Sequence, residues 1–253
     1  AGAAIMAHYG ATDEVDYKAD NSPVTQADRD ANDILEAALR DFAPSIPVVS
    51  EETATDRTAP LGGMFFLVDP LDGTKEFIKK RSDFTVNVAL IDHGFPCFGL
   101  VYAPARGLLA VTIADGVAIE ASMAPNAAGA DLNALSHKRL HARPADPEAI
   151  TALVSLSHLD EKTEEFLKGF SVADRSGAGS SVKFLEIARG NADLYPRLAP
   201  TMEWDTAAGQ AVLEAAGGHV VDTRGARFAY GKSKAGLKNG SFIAWGRTVL
   251  TPR

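Results

Sequence analysis

A chain of 253 residues, 46% hydrophobic and 23% charged, has enough apolar material for one large domain or two small ones. Its net charge of -8 and pI near 5.3 disfavour wrapping nucleic acid or coating an anionic membrane, while leaving room for an anionic small molecule held through divalent cations. A single cysteine, Cys97, excludes a disulfide framework or a Cys-type zinc site within the chain, and no apolar run reaches the ~18 residues of a membrane helix.

In chain order, residues 1–10 are Ala-rich and read as a helix. They lack the basic stretch of a secretory signal and open without an initiator Met, so residues upstream are expected. Residues 11–24 read as a polar loop. Thr25 suits an N-cap, with Asp28 three positions on, for a helix striped by Ala27, Ala31, Ile34, Leu35, Ala38, Leu39 and Phe42. Asp28, Asp30 and Asp33 lie off that stripe, where early acids ordinarily serve the macrodipole. A short strand over 46–50 ends in Glu51-Glu52. A loop leads to a strand over 64–68 that Pro70 is expected to stop. Phe84, Val86, Val88 and Leu90 alternate with Thr85, Asn87, Ala89 and Ile91, the pattern of a strand buried mainly on one face. Gly94, Gly107 and Asp115-Gly116 punctuate an antiparallel meander to about residue 120, and Cys97 within it reads as a small buried hydrophobe.

Residues 122–146, rich in Ala, Pro, Asn and Gly, mark the best boundary, dividing an α+β half (1–121) from an α/β half (122–253). In the second half, strands over 150–156, 171–172, 193–196, 219–221 and 241–245 alternate with helices over 160–168, 180–189 and 204–216.

The chemistry concentrates in Asp69-Pro70-Leu71-Asp72-Gly73-Thr74. Two acids at the end of a buried apolar run, with Pro and Gly to turn the chain, suit neither solubility nor capping; acids brought that close cost several kcal/mol unless a cation neutralises them. Glu51, Glu52 and Asp205 also stand at element ends. Taken singly, Asp205 reads as an acid at a helix start and the Glu pair as a solvated loop. Carboxylates without a soft cluster favour a hard divalent cation such as Mg²⁺. His137 and His141 bracket Lys138-Arg139 and read as a basic surface patch. Residues 225–233 end in Gly231-Lys232-Ser233 like a P-loop, but the gap from Gly225 to Gly231 is one residue too long, and the stretch reads as a polar loop. Ser180-Ser181-Val182-Lys183 has the Ser-x-x-Lys spacing of a serine acyl-transfer enzyme, but no Lys-Thr-Gly follows. Gly177-Ala178-Gly179-Ser180-Ser181 ahead of a helix reads equally as a phosphate-facing N-terminus or a plain Ser-capped loop.

Asp69-Pro70-Leu71-Asp72-Gly73-Thr74 and Trp204-Asp205-Thr206-Ala207-Ala208-Gly209 resemble the two signatures of the inositol monophosphatase superfamily of Mg²⁺-dependent phosphatases. Glu51 resembles its upstream metal-ligand Glu, and Asp28 the acid near an additional metal. Lys75-Glu76-Phe77, Ser180-Ser181-Val182-Lys183-Phe184 and Leu194-Tyr195-Pro196-Arg197 are similar to the CysQ-type branch acting on 3'(2'),5'-bisphosphonucleotides. The resemblance implies a layered α/β/α/β sandwich, an α+β half followed by an α/β half, with the site between them. It implies two or three Mg²⁺ held by Glu51, Asp69, Asp72, Asp205 and the Leu71 carbonyl, and inhibition by Li⁺. Thr74, held by an acid such as Glu51, is expected to orient the attacking water, with Asp28 close by. The Gly73 and Thr74 N–H groups are expected to take the phosphate being cleaved. Lys75, Ser180, Ser181, Lys183, Arg197 and Asp205 are expected to contact the substrate. The implied reaction is hydrolysis of the 3'-phosphate of adenosine 3',5'-bisphosphate, with or without a 5'-sulfate, by a monomer or homodimer in the cytoplasm or at the periphery of the inner membrane. The alternatives are an inositol- or sugar-phosphate phosphatase with the same metals and a non-catalytic Mg²⁺-binding regulator. Glu203 departs from the apolar residue frequent in related chains, an extra acid whose consequence, including any effect on substrate charge, the sequence leaves open.

Overall fold

Period-two alternation over residues 84–91 builds the middle of a seven-stranded sheet in a computed structural model, which describes residues 1–11, 15–18, 21–54, 58–113, 116–127, 131–155 and 160–252. The chain opens with α1 (Gly2–His8), the two-residue strands β1 (Asp16–Tyr17) and β2 (Pro23–Val24), and α2 (Gln26–Phe42). The stretch expected to be a plain loop is thus a small antiparallel hairpin, pairing Asp16 with Val24 and Tyr17 with Pro23. The first sheet follows: β3 (Val48–Ser50), β4 (Met64–Asp72), the short α3 (Thr74–Ile78), β5 (Thr85–Asp92), β6 (Phe95–Ala103), β7 (Leu108–Ile113), β8 (Val117–Ser122) and β9 (His137–Arg139), adjacent in chain order. Only β3 and β4 run parallel; the rest form the expected meander. β9 pairs with β8, so the first sheet draws in chain from beyond the boundary read at 122.

The second sheet has β10 (Ile150–Ser155), β11 (Val172–Ala178), β12 (Leu194–Arg197), β14 (His219–Asp222) and β16 (Phe242–Trp245) in the order β11-β10-β12-β16-β14. Between its strands run α4 (Glu161–Leu167), α5 (Val182–Ala188) and α6 (Ala207–Ala215), and β13 (Thr201–Met202) pairs separately with β15 (Lys238–Asn239). Both helices expected to begin at Ser180 and Trp204 start later. Ser180 has a left-handed φ of 42°, which ends β11 in a tight turn, and residues Glu203–Asp205 form a 3₁₀ turn before α6.

The layers are α1 and α2, the seven-stranded sheet, α5 and α6, then the five-stranded sheet with α4 outside it, which is the expected layered order. Helices on both faces explain why β5 is buried on both sides rather than one. Phe84 and Val86 pack with Ile5, Ala27 and Ala31, whereas Ala89 and Ile91 pack with Val101, Ala208 and Val212. The close fit of α6 requires Gly99 on β6, where a Cβ would lie 2.5 Å from the Ala208 carbonyl oxygen. Cys97, expected inside, is exposed: Leu90 pairs with Phe98 and Ile91 with Pro96, which leaves Cys97 as the extra residue of a bulge near the start of β6.

Candidate active site

Pro70 does not end β4. Asp69 pairs with Asn87 and Asp72 with Thr85, so β4 carries one residue more than β5 between those pairs, a β-bulge. Residues three apart on a regular strand face opposite sides; the extra residue turns Asp72 to the side of Asp69, and both line one cleft. Next, Gly73 takes φ +93°. A Cβ there would come within 2.9 Å of the Asp83 carbonyl oxygen, so the turn from β4 into α3 needs glycine.

Glu51 follows β3, anchored by its N–H donating to the Val68 carbonyl at 3.1 Å. Asp205 ends the 3₁₀ turn, and its carboxylate accepts the Met202 N–H at 2.7 Å. Glu51, Asp69 and Asp205 each offer a carboxylate oxygen, and the three oxygens lie within 4.8 Å of one another. Burial, reinforced by the neighbouring carboxylates, holds the Asp69 and Asp205 carboxyls well above the usual range. Burial also lifts Asp72 to about 6, against the pull of the Lys183 ammonium. Asp72 accepts from the Ser181 N–H (2.8 Å), Asn87 Nδ2 (3.2 Å) and Thr85 Oγ1 (3.5 Å), tying the bulge to the turn before α5. An all-oxygen donor set whose acids resist ionisation together suits a hard divalent cation, so these residues fit the metal that the motifs imply.

Thr74 is held by Asp28 rather than by Glu51. Its hydroxyl donates to Asp28 Oδ1 at 3.1 Å, with the Leu71 carbonyl at 3.2 Å. Asp28, off the apolar stripe of α2, is buried: Thr25 N–H and Oγ1 bind its other oxygen at 2.8 and 2.7 Å and aim it inward. Burial raises its pKa. Glu51 is instead bonded by Lys18, whose ammonium also reaches Glu52, at 2.7 and 2.8 Å. Lys18 follows β1 in what read as featureless loop, so nothing in the sequence singled it out.

The opposite wall comes from the second half of the chain. Ser180, Lys183, Phe184, Tyr195, Arg197 and Thr201 line the cleft, which encloses about 240 Å³, and Lys75 stands exposed at its rim. Ser181, expected to touch substrate, is buried behind the wall: it receives Asn87 Nδ2, and its hydroxyl donates to the Asp205 carbonyl at 3.0 Å. Lys183 donates to the Ala178 and Ser180 carbonyls at 3.1 and 2.7 Å, so it braces the turn as well as charging it, and burial lowers its pKa to about 8. Asp83, which sequence reasoning missed, accepts from the Gly179 N–H and from Arg106, joining the same turn to the first sheet. Thr85 and Asn87 were legible only as polar residues in an otherwise apolar strand.

Glu203 does not face the substrate. It is fully buried and accepts the Gly231 and Lys232 N–H groups, each at 2.8 Å, with Lys232 Nζ at 3.1 Å. The stretch that falls short of a P-loop therefore does bind an anion, a carboxylate of its own chain.

The family model for the inositol monophosphatase family matches residues 1–247. The chain belongs to the inositol monophosphatase family. Curated relatives within it include the 3'(2'),5'-bisphosphate nucleotidases CysQ of Shigella flexneri and Escherichia coli K12, each 42% identical over 95% of this chain and 93% of theirs. Among solved structures, CysQ from Bacteroides thetaiotaomicron aligns with a TM-score of 0.82 at 35% identity, covering 98% of this chain and 93% of that one. An inositol monophosphatase from Thermotoga maritima shares the fold, with a TM-score of 0.75 at 22% identity. The layered fold of the family is thus the fold of this chain, and its acidic cluster answers to the family's dependence on metal.

Proposed function

We propose that this chain is a Mg²⁺-dependent 3'(2'),5'-bisphosphate nucleotidase, converting adenosine 3',5'-bisphosphate to AMP and phosphate. The observation that carries the reading is the convergence of Glu51, Asp69 and Asp205 beside Asp72, opposite a wall bearing Lys183 and Arg197. Relatives named for that activity, similar over nearly the full chain, support the choice among the family's phosphatases.

Glu51, Asp69, Asp72, Asp205 and the Leu71 carbonyl would hold two or three Mg²⁺, which supply charge neutralisation for the phosphoryl group and lower the pKa of water. The chain's own groups do the rest. Thr74 Oγ1, hydrogen-bonded to Asp28, can accept a proton from the attacking water and pass its own to that carboxylate, whose raised pKa makes it a competent base. The N–H groups of Gly73 and Thr74 are suited to the phosphate under attack. Lys183 and Arg197 provide positive charge for the second phosphate, with Ser180 and Lys75 at the cleft wall and rim. By the same reading the enzyme works in the cytoplasm as a monomer or homodimer. No helix among the described residues is long and apolar enough to cross a membrane.

The deciding experiment is phosphate release with Mg²⁺ from adenosine 3',5'-bisphosphate beside inositol 1-phosphate. A higher kcat/KM for the nucleotide is expected; a preference for inositol 1-phosphate makes the chain a sugar-phosphate phosphatase, and no release from either leaves it a metal-binding regulator.

A further inference from the structure

The 3₁₀ turn that delivers Asp205 is gripped from outside the cleft by residues 228–239. Glu203, two residues before Asp205, places its carboxylate on the N–H groups of Gly231 and Lys232 and on the Lys232 ammonium. Lys232 Nζ also reaches the Ala229 carbonyl and, at 3.1 Å, Asn239 Oδ1. The Asn239 amide turns back to the same 3₁₀ turn, donating to the Met202 carbonyl at 2.8 Å and Thr206 Oγ1 at 2.9 Å. Tyr230 donates to Thr206 Oγ1 from the other side at 3.1 Å, and the Glu203 N–H binds the Leu237 carbonyl at 3.0 Å. Every one of these partners lies 20 or more residues away in sequence, and they converge on residues 202–206. Within the turn, Asp205 is oriented by the Met202 N–H.

We infer that Glu203, through Lys232 and Asn239, is a positioning residue for the metal ligand Asp205, setting the affinity for divalent cation rather than contacting substrate. This rests on the metal site proposed above. The physical ground is that a carboxylate ligand is worth its full electrostatic value only where its backbone cannot retreat from the crowding of Asp69 and Glu51. The clamp supplies that resistance with a fully buried carboxylate balanced by a half-buried ammonium. Disturbing groups that orient a metal ligand costs about 10- to 100-fold in metal affinity or activity.

The test is calorimetric titration of Mg²⁺ into the full chain carrying Glu203→Gln or Lys232→Met, beside Arg224→Ala, which breaks the exposed pair with Asp222 just before that segment. Glu203→Gln and Lys232→Met should each bind Mg²⁺ about 10-fold more weakly, with the half-saturating Mg²⁺ for turnover rising in parallel and KM at saturating Mg²⁺ unchanged. Arg224→Ala should match the parent. If both clamp variants are folded by circular dichroism and bind Mg²⁺ as the parent does, the inference fails. It fails equally if both are unfolded at 25 °C, since Glu203 then serves the fold alone. A parent that binds no Mg²⁺ would instead overturn the metal site itself.

Discussion

Removing Mg²⁺ should destabilise this protein far more at pH 8 than at pH 5. In the metal-free cleft, burial raises the Asp72 carboxyl from 3.8 to about 6. A folded-state pKa above the unfolded value means that the folded chain binds the extra proton. The associated stability is fully present below pH 3.8 and is lost as pH rises through about 6. That rise is worth about 3 kcal/mol at ~1.4 kcal/mol per pH unit, and roughly 2 kcal/mol once the partial exposure of Asp72 is allowed for. Asp69 and Asp205 are raised from the same direction and add to it. In a chain of this size 1 kcal/mol moves Tm by about 2–4 °C, so Asp72 alone accounts for roughly 4–8 °C. The assay is thermal unfolding in saturating Mg²⁺ and in chelator at pH 5, 6, 7 and 8. About half of that change falls above pH 5, so the gap between the two conditions should widen by roughly 2–4 °C from pH 5 to pH 8 on account of Asp72, because Mg²⁺ competes with protons at low pH and relieves naked repulsion at high pH. A gap of constant size would refute the claim that these carboxylates are crowded for a cation.

Asp69→Asn and Asp205→Asn should each lower kcat by more than ~100-fold, beyond the cost of disturbing a merely supporting group, while circular dichroism shows a folded chain. Near-parent turnover in either would place the metal elsewhere. Thr74→Ala should cost about 100-fold in kcat, within the range for lost general acid–base assistance, with Thr74→Ser recovering most of it and Mg²⁺ binding unchanged; equal rates in Ala and Ser variants would remove the hydroxyl from the mechanism. Gly73→Ala should lower stability by roughly 1–2 kcal/mol in urea unfolding from the left-handed backbone alone, and by more if Asp83 cannot move; an unchanged midpoint would mean that the turn relaxes freely.

What could be read from the residues was local. The capping pair Thr25 and Asp28, the alternation along β5 and the Asp-Pro-Leu-Asp-Gly-Thr run each state their structure within a few positions, and the motifs pointed to the other acids of the cleft. The misses share one cause: partners distant in sequence. Lys18 meets Glu51 across 33 residues, Thr74 meets Asp28 across 46, and Asp83 meets Gly179 across 96. Glu203 looked like surplus charge because its counter-ion stands 29 positions away, on a stretch whose glycines resembled a nucleotide loop. Pro70 misled for a different reason. Proline removes one ladder hydrogen bond, which a bulge tolerates without ending the strand. Ser181 and Lys183 lay in the right motif, but which of their groups face the cleft depends on the left-handed turn at Ser180.

The absent side chain at Gly99 has a bearing on the cleft that its place in the core disguises. Because the Ala208 carbonyl rests where a β-carbon would be, Gly99 sets the height at which α6 rides on the sheet. Asp205 is carried by the turn that leads directly into that helix. Any residue larger than glycine at 99 would act as a shim, lifting the helix and drawing Asp205 back from Glu51 and Asp69, so the spacing of the three carboxylates in the cleft is gauged in part by a single hydrogen atom inside the apolar layer.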